Sequence, residues 1–290
     1  MKERTANFLT TRQLARMWQV SEATIKRWAD AGHLHSQKTL GGHRRFALSE
    51  VLKFQSERGF DTDGERVEPK RTATIASGAG KALAQAGALE RFFEAISIGH
   101  EAEATAILLR QYLDRIPPVK ILEETVTEAL RRVGNRWHSG EMSVADEHLA
   151  THTAIRAIEA LRSAMRPAQL GERLAVCCTV EDELHDIATL CVQVLLESEG
   201  WSVKNLGASM PFFALSDAIV KHRPHLVCIS STTNGALSRY AREYAQFKAV
   251  TLKHQTRIAL GGEGFRERAI RQRFPADLHA ENFNQLLKMI

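Results

Sequence analysis

One short loop decides the fold of this chain: Glu183-Leu184-His185-Asp186-Ile187-Ala188. It follows a continuous apolar run, 174–180, and leads into a second apolar segment, 190–196, whose spacing is helical. A buried strand, a polar loop and a helix in this order form the first βα unit of a doubly wound sheet, in which ligands bind beyond the carboxyl ends of the strands. The loop is therefore a candidate binding site.

The residue types of this loop favour a metal ligand. Glu183 precedes His185 by two residues, so its carboxylate can hold one ring nitrogen while the other stays free to bind a metal. The alternative is a solvated loop histidine that lies beside acids and has no ligand.

The stretch resembles the acid-x-His-x-x-Gly signature of cobalamin-binding domains. The resemblance implies that His185 is the lower axial ligand of cobalt and that Glu183 supports it. It also implies a slot for the nucleotide tail, lined by a Ser/Thr pair and a Gly-Gly at the ends of two later strands. The matching residues are Ser230, Thr232, Gly261 and Gly262. Ala188 stands where this family usually has Gly, and its methyl group can crowd the tail or the packing of strand against helix.

Residues 172–290 alternate apolar strands with helices. The predicted strands are 174–180, 201–206, 226–230, 258–261 and about 277–279. The predicted helices are 186–199, 211–222, 237–254, 264–273 and 281–290. This alternation predicts a flavodoxin-like, Rossmann-type parallel sheet.

Composition sets the broad class of the protein. A chain of 290 residues suits two or three domains. It has no run of eighteen apolar residues and no signal peptide at its N-terminus, so we expect a cytoplasmic protein. The net charge of +5 is uneven, because residues 1–60 carry +6 and the remainder −1. The basic surface is therefore expected on the N-terminal module. Four cysteines lie in apolar runs and are expected to be reduced core residues: Cys177, Cys178, Cys191 and Cys228.

The N-terminal module has the pattern of a winged helix-turn-helix. Thr10 and Ser21 are predicted N-caps of two short helices, the second running over 22–31, with a turn at 19–20 between them. The outward residues of the second helix would enter the major groove of DNA. A basic glycine turn at 40–46 predicts a two-stranded wing, and Ser49 is predicted to cap a third helix that ends near residue 58.

This pattern resembles the MerR-type regulators over residues 8–58, and their wing commonly reads Gly-Gly-His-Arg before an aromatic residue. The resemblance implies that Lys26 and Arg27 reach the groove. It implies that the wing residues His43, Arg44 and Arg45 hold the phosphate backbone. The alternative is a small helical domain with an incidental basic face. We predict a DNA-binding domain over 1–60 and, where apolar periodicity fades, a flexible linker over 61–87.

Residues 88–168 are predicted to form a four-helix bundle. The predicted helices are 89–97, 101–113, 118–137 and 144–165. Prolines at 117–118 and Ser139-Gly140 separate the later helices. Ser143 and Asp146 form an acidic variant of a capping box, which puts the next two residues in the first turn of the fourth helix.

Trp137, nine intervening residues and Glu147-His148 resemble the Trp-x9-Glu-His signature of the light-sensing cobalamin repressors called CarH. The resemblance implies that Trp137 covers the upper face of the corrin against the adenosyl group and that Glu147 and His148 help hold that group. It also implies that His138 takes the place of the adenosyl group on cobalt after illumination. Without the resemblance, Trp137 would be read as a bundle core residue and the histidines as surface residues.

The sequence thus predicts a light-responsive transcriptional repressor and not an enzyme. The family resemblance implies that it binds adenosylcobalamin, assembles on operator DNA in the dark as a homo-oligomer, specifically a tetramer, and releases the DNA when light breaks the cobalt–carbon bond. One alternative is a corrinoid methyl carrier, against which the basic wing argues. The other is a regulator that senses cobalamin without light, or has lost cobalamin and binds another ligand or a protein partner, for which Ala188 is the hint.

Overall fold

The computed structural model describes residues 8–18, 20–39, 41–47, 50–51, 54, 78–165, 171–235 and 237–290, and for residues 16, 17 and 78–86 the backbone alone. The chain divides into two compact units. The first contains Met1–Ile116 and Arg132–Ala164, and the second contains Pro117–Arg131 and Met165–Ile290.

The N-terminal elements form the predicted helix-turn-helix and wing. They are β1 (Phe8–Thr10), α1 (Thr11–Met17), α2 (Glu22–Asp30), β2 (Gln37–Lys38) and β3 (Arg44–Ala47). The strands form an antiparallel sheet in the order β1-β3-β2. Strand β1 was not predicted, because three residues are too few to show an alternating pattern. The predicted helix from Ser49 to about residue 58 lies mostly outside the described residues, as does Leu40 of the wing turn.

Side-chain caps explain where α1 and α2 begin. The hydroxyl of Thr10 accepts from the backbone N–H of Gln13 at 3.1 Å, and the Gln13 side chain accepts from the Thr10 N–H at 2.8 Å. This reciprocal pair satisfies two amides that the first turn leaves free. The Ser21 hydroxyl accepts from the Thr24 N–H at 3.1 Å, as predicted for an N-cap. The two helices then close over a core that includes fully buried Ile25.

The predicted linker, 61–87, is too long at its C-terminal end. Helix α3 covers Gly78–Ser97, so ten residues assigned to the linker are helical, while 61–77 lie outside the described residues. The prediction relied on apolar periodicity, which is absent before Leu89. The segment is instead rich in alanine, the residue with the highest helix propensity, so it forms a helix without an evident apolar face.

The helical region has the four predicted helices, with one unexpected segment. Its elements are α3, α4 (Glu101–Leu113), α5 (Pro118–Lys120), a π-helical segment (Ile121–Thr127), α6 (Glu128–His138) and α7 (Val144–Met165). The π-helical segment replaces the middle of the predicted third helix, and Ile121, Leu122 and Val126 in it are fully buried. Residues 117–131, which include the π-helical segment, belong to the second compact unit, whereas α6 from Arg132 onward belongs to the first.

The second unit has the predicted flavodoxin-like sheet. Its strands are β4 (Leu174–Val180), β5 (Ser202–Met210), β6 (Leu226–Ser230), β7 (Arg257–Gly261) and β8 (Leu278–Ala280). The α-helices are α8 (Ile187–Ser198), α9 (Phe212–His222), α10 (Ala241–Lys253), α11 (Arg268–Arg273) and α12 (Phe283–Met289), with 3-10 turns at Leu237–Tyr240 and Glu263–Phe265. All neighbouring strands are parallel, in the order β5-β4-β6-β7-β8. Strands β4, β6 and β7 therefore end at one edge of the sheet.

Strand β5 is longer than predicted because its second half is irregular. Gly207 and Ser209 have φ angles of 77° and 52°, and the pairing with β4 shifts register there. The predicted buried, unbonded cysteines are confirmed, and burial raises the pKa of the Cys191 thiol to about 12. Among the described residues, no helix has both the length and the apolar content to cross a membrane.

Candidate functional site

A buried carboxylate organises the loop between β4 and α8. One oxygen of Glu183 accepts from the His185 N–H at 3.0 Å and lies 2.6 Å from Nδ1 of the same histidine. Its other oxygen accepts from the Thr232 N–H, just beyond β6, at 2.6 Å. The Glu183 side chain is only 4% exposed. One acid thus joins the predicted ligand to the end of a neighbouring strand.

The surroundings of Glu183 keep it ionised. Burial by itself would raise the pKa of this carboxyl group, but the backbone N–H groups of His185 and Thr232 and the His185 ring outweigh that effect. The resulting pKa lies below the ordinary value for glutamate, because all three groups donate to or attract the charged form. A negative charge is therefore fixed behind the imidazole.

The His185 side chain fits the role of a metal ligand. The Glu183 carboxylate holds Nδ1, and within the described part of the chain no partner is found for Nε2. The side chain is 67% exposed, so Nε2 is accessible from outside the domain. A carboxylate behind an imidazole fixes the tautomer and makes the free nitrogen a better donor. The pair would suit a metal ion that takes one imidazole ligand from this loop.

Two strand ends support the same loop from the backbone. The Glu183 carbonyl accepts from the Thr179 hydroxyl at 2.6 Å and from the Ser209 N–H at 3.0 Å. The Ser209 N–H also contacts the Thr179 hydroxyl, at 2.8 Å. Neither residue was predicted, because hydrogen bonds to carbonyl oxygens leave no pattern in the sequence.

The predicted slot residues gather at the ends of β6 and β7, where Ser230 and Gly261 are register partners. Gly262 has a φ of 92°, and a Cβ built there would lie 2.3 Å from the Ser231 carbonyl oxygen. The glycine is thus required for a close approach between two segments of this chain, which the prediction had assigned to the ligand's tail. Ala188 is the second residue of α8 and is half-buried.

The four predicted upper-face residues all belong to the first unit. Trp137 is 44% exposed and therefore is not a core residue of the bundle. Its ring meets the ring of His138 edge-on, with centroids 4.9 Å apart, at the C-terminal end of α6. Glu147 lies 3.6 Å from Nε2 of His148 at the start of α7 and accepts from the Thr151 hydroxyl at 2.9 Å.

The predicted cap of α7 is present. The Ser143 hydroxyl accepts from the Asp146 N–H at 3.1 Å and donates to the Asp146 carboxylate at 2.7 Å. The cap fixes the first turn of the helix, so Glu147 and His148 project from a defined position.

The predicted DNA-contacting residues differ in their exposure to solvent and in their contacts within the domain. Lys26 and Arg27 are exposed on α2, and His43 is exposed in the wing. Arg45 is half-buried and donates to the Arg44 carbonyl at 3.3 Å. The Arg44 guanidinium instead forms an ion pair with Asp30, the last residue of α2, and the Arg44 side chain is only 16% exposed. Arg44 therefore connects the wing to the second helix.

Asp30 was missed by the sequence analysis, although a signal for it exists. The C-terminal end of a helix carries a partial negative charge, so an aspartate there is unfavourable unless a cation lies close by. An acid at the last position of α2 should have suggested such a partner.

Three family models match this chain. A helix-turn-helix domain matches residues 8–59, and two models described as B12 binding domain match residues 88–162 and 173–282. The matches confirm a DNA-binding module and a cobalamin-binding fold, with the helical region included in the latter.

Two curated relatives come from Myxococcus xanthus. One is the HTH-type transcriptional repressor CarA, 26% identical over 282 residues, which is 89% of this chain and 88% of CarA. The other is the HTH-type transcriptional repressor CarH, 33% identical over 128 residues, 44% of this chain and 42% of CarH. This chain is similar to both repressors. It aligns along most of CarA but with less than half of CarH. The prediction that it is not an enzyme agrees with both repressor relatives.

A solved structure agrees with the fold of much of this chain. The monomethylamine corrinoid protein of Methanosarcina barkeri superposes with a TM-score of 0.60 at 17% identity, over 71% of this chain and 97% of that chain. This chain therefore shares nearly the whole fold of that protein and has further residues besides.

Proposed function

We propose that this chain is a cytoplasmic transcriptional repressor that binds adenosylcobalamin and releases operator DNA on illumination. The observation that carries the proposal is the His185 side chain, held at Nδ1 by a buried, ionised Glu183 and exposed at Nε2. The helix-turn-helix at the N-terminus supports a role on DNA.

The residues of the second unit bind the lower side of the cofactor in this proposal. His185 would offer Nε2 to cobalt, Glu183 would hold the ring in place, and the strand ends at Ser230, Thr232 and Gly261 would line the nucleotide tail. When bound, adenosylcobalamin supplies a cobalt–carbon bond that green or blue light breaks. The chain itself provides only ligation and exclusion of water, so no turnover is required.

The residues of the first unit serve the upper side. Trp137 offers an exposed aromatic surface for the adenosyl group, and Glu147 and His148 offer polar contacts at a helix start. Bound adenosyl would favour the assembled, DNA-binding state, and its loss would remove that preference, because a ligand shifts an equilibrium only by its differential affinity for the two states. The assembled state is proposed to be a tetramer.

One experiment tests the central claim. The protein is loaded with adenosylcobalamin in the dark, and its absorption spectrum and DNA affinity are measured before and after green illumination. We expect a histidine-ligated spectrum in the dark, a permanent spectral change on illumination and a loss of DNA binding. A protein whose DNA affinity is the same in both states would contradict the light response, and one that takes up no cobalamin would contradict the whole proposal.

His138 is proposed to ligate cobalt in the illuminated state. It is exposed at the end of α6, next to Ser139-Gly140, and Gly140 with a φ of 78° permits the segment to turn. His138→Ala should bind adenosylcobalamin and respond to light as before, but should release cobalamin faster after illumination. His148→Ala tests the competing ligand, and a faster release in that variant alone would move the assignment to His148.

A corrinoid methyl carrier is the second candidate. The fold shared with the monomethylamine corrinoid protein favours it, but that fold does not use the helix-turn-helix. Specific binding of any DNA fragment at physiological salt, weakened by Lys26→Ala or Arg27→Ala, would decide against the carrier.

A further inference from the structure

A second carboxylate holds the His185 loop, and the proposed function leaves it without a role. Asp182 stands in the turn that leaves β4 and has a φ of 65°. Residues other than glycine rarely adopt this left-handed conformation, although aspartate tolerates it better than most. The Asp182 N–H donates to the Ser209 hydroxyl at 3.1 Å. The turn is therefore held in one conformation from the side of β5.

The side chain of Asp182 is bound from the other side of the sheet edge. Its Oδ2 accepts from the Tyr240 hydroxyl at 2.5 Å and from Arg239 at 3.2 Å. The Asp182 and Arg239 side chains are 58% and 66% exposed, so water screens their ion pair and it contributes little. The hydrogen bond from Tyr240 is the more specific of the two contacts.

Tyr240 is well placed to act as a fixed donor. It directly precedes α10, whose Tyr244 and Phe247 are fully buried, and the Tyr240 ring packs against the same core. The hydrogen bond to Asp182, then burial and the nearby acids, raise the pKa of Tyr240 to about 12. The phenol hydroxyl therefore keeps its proton at physiological pH and remains a donor.

Besides their contacts with Thr179 and Ser209, Asp182 and Glu183 attach the loop at two points to the segment that follows β6. Glu183 binds the Thr232 N–H and Asp182 binds the Tyr240 hydroxyl, and both partners belong to the segment that follows β6. The Thr179 and Ser209 contacts hold the backbone of the loop from the side of β4 and β5, whereas these two attachments hold its side chains on the side of β6. His185 lies two residues after Glu183.

We infer that Tyr240 is a positioning residue for His185, and that with Asp182 it forms a latch that keeps Nε2 turned outward for a metal. The consequence for cobalamin rests on the proposed function, because the latch reaches cobalt only through His185. Without the latch the loop must be ordered when cobalamin binds, and this ordering costs affinity.

Tyr240→Phe tests the latch, with Tyr244→Phe as the matched control. The Tyr244 hydroxyl donates to the Pro275 carbonyl at 2.8 Å and has no contact with the loop. With adenosylcobalamin in the dark, we expect Tyr240→Phe to lower affinity about 2- to 10-fold, the effect of one hydrogen bond. Its visible spectrum should show a larger share of cobalamin without a histidine ligand. Tyr244→Phe should leave the spectrum unchanged. Asp182→Asn, which tolerates the same φ but is a weaker acceptor, should shift both quantities in the direction of Tyr240→Phe.

The same substitution in a His185→Ala background separates positioning from general damage. If Tyr240 acts through His185, Tyr240→Phe should add no further loss of affinity there. An equal loss in both backgrounds would overturn the inference, as would a Tyr240→Phe protein that behaves like Tyr244→Phe.

A measurement without cobalamin keeps the latch and the proposed function distinguishable. Amide hydrogen exchange over residues 181–186 of the unloaded protein should be faster in Tyr240→Phe than in the wild type or Tyr244→Phe. If the wild type shows no His185-dependent spectrum, the proposed function fails and this exchange alone decides the latch. Unchanged exchange would then overturn it.

Discussion

His185 uses its two ring nitrogens for different purposes. Nδ1 contacts the Glu183 carboxylate at 2.6 Å, while Nε2 is open to a ligand. One buried charge thus orients a ring that is otherwise largely exposed to solvent. Replacing His185 should change cobalamin binding, whereas replacing Glu183 should change the stability of the unloaded protein.

His185→Ala should abolish the histidine-ligated cobalt spectrum and weaken cobalamin binding, because it removes the proposed bond from the protein to cobalt. Ala188→Gly, three residues later in the first turn of α8, is the comparison: it restores the usual family residue and should leave the spectrum unchanged while tightening binding. An unchanged visible spectrum in His185→Ala would mean that this residue is not the lower ligand.

Glu183→Gln should destabilise the unloaded protein by about 1–3 kcal/mol, because an amide cannot accept from both Nδ1 and the Thr232 N–H and leaves a donor unpaired. The pKa of Glu183 is lowered in the folded state, so its stabilising effect is present above the ordinary glutamate pKa and is lost as pH falls through the lowered value.

Urea unfolding between pH 3 and 7 measures this effect. The wild type should lose stability over the acidic part of this range more steeply than Glu183→Gln. Glu172→Gln, at an exposed position of the same unit, should follow the wild-type curve. Parallel curves for wild type and Glu183→Gln would show that these contacts do not lower the pKa of the Glu183 carboxyl group.

At the scale of elements, one ion pair connects the wing to α2. The ion pair between Arg44 and Asp30 links β3 to the end of α2. In the proposed DNA complex, this link would influence the distance between α2 in the groove and the wing on the phosphate backbone, and so the register of both on DNA.

Arg45→Ala should weaken binding to all DNA sequences alike and reduce the salt dependence of log K by about 0.9, the value for one phosphate contact. Arg44→Ala should reduce the salt dependence by less, because the Asp30 carboxylate already neutralises Arg44. Titrations with two unrelated DNA fragments at several salt concentrations measure both quantities. Equal slopes for the two variants would indicate that both arginines contact phosphates.

Elements with strong periodicity could be predicted from sequence, and those without it could not. Strands β4 and β6 are continuous apolar runs because both faces of the sheet are covered, and their bounds were predicted to the residue. The N-terminal half of α3 has no apolar stripe before Leu89, so composition was its only signal. The sequence gives no signal for the π-helical segment either, because the wider turn of a π-helix depends on tertiary packing.

The candidate site shows the same division. His185 and Glu183 are two residues apart, so their pairing could be predicted from spacing. Tyr240 lies 58 residues from Asp182, and nothing in the intervening sequence indicates that they meet. Contacts of this kind depend on where strand ends converge in the sheet, which only the folded chain determines.

At the scale of the whole molecule, the proposal concerns assembly. Light scattering on the protein loaded with adenosylcobalamin should give the mass of a tetramer in the dark and a smaller species after illumination. The Trp137→Ala variant should remain small in the dark, because the exposed ring that would contact the adenosyl group is gone. A mass that is independent of light and cofactor would contradict the population shift.

The helical stretch made of α5, the π-helical segment and α6 is divided between the two compact units, and this division has a consequence for synthesis on the ribosome. Pro117–Arg131 belong to the second compact unit together with Met165–Ile290, and the Phe283 N–H donates to Glu123 across this gap in sequence. At roughly 5–20 residues per second, the remainder of the unit is complete only on the order of ten seconds or more after Arg131 has been added. During that interval the apolar side chains of the π-helical segment have not yet packed against the rest of the unit. A chaperone that binds exposed apolar segments would therefore be expected to bind there.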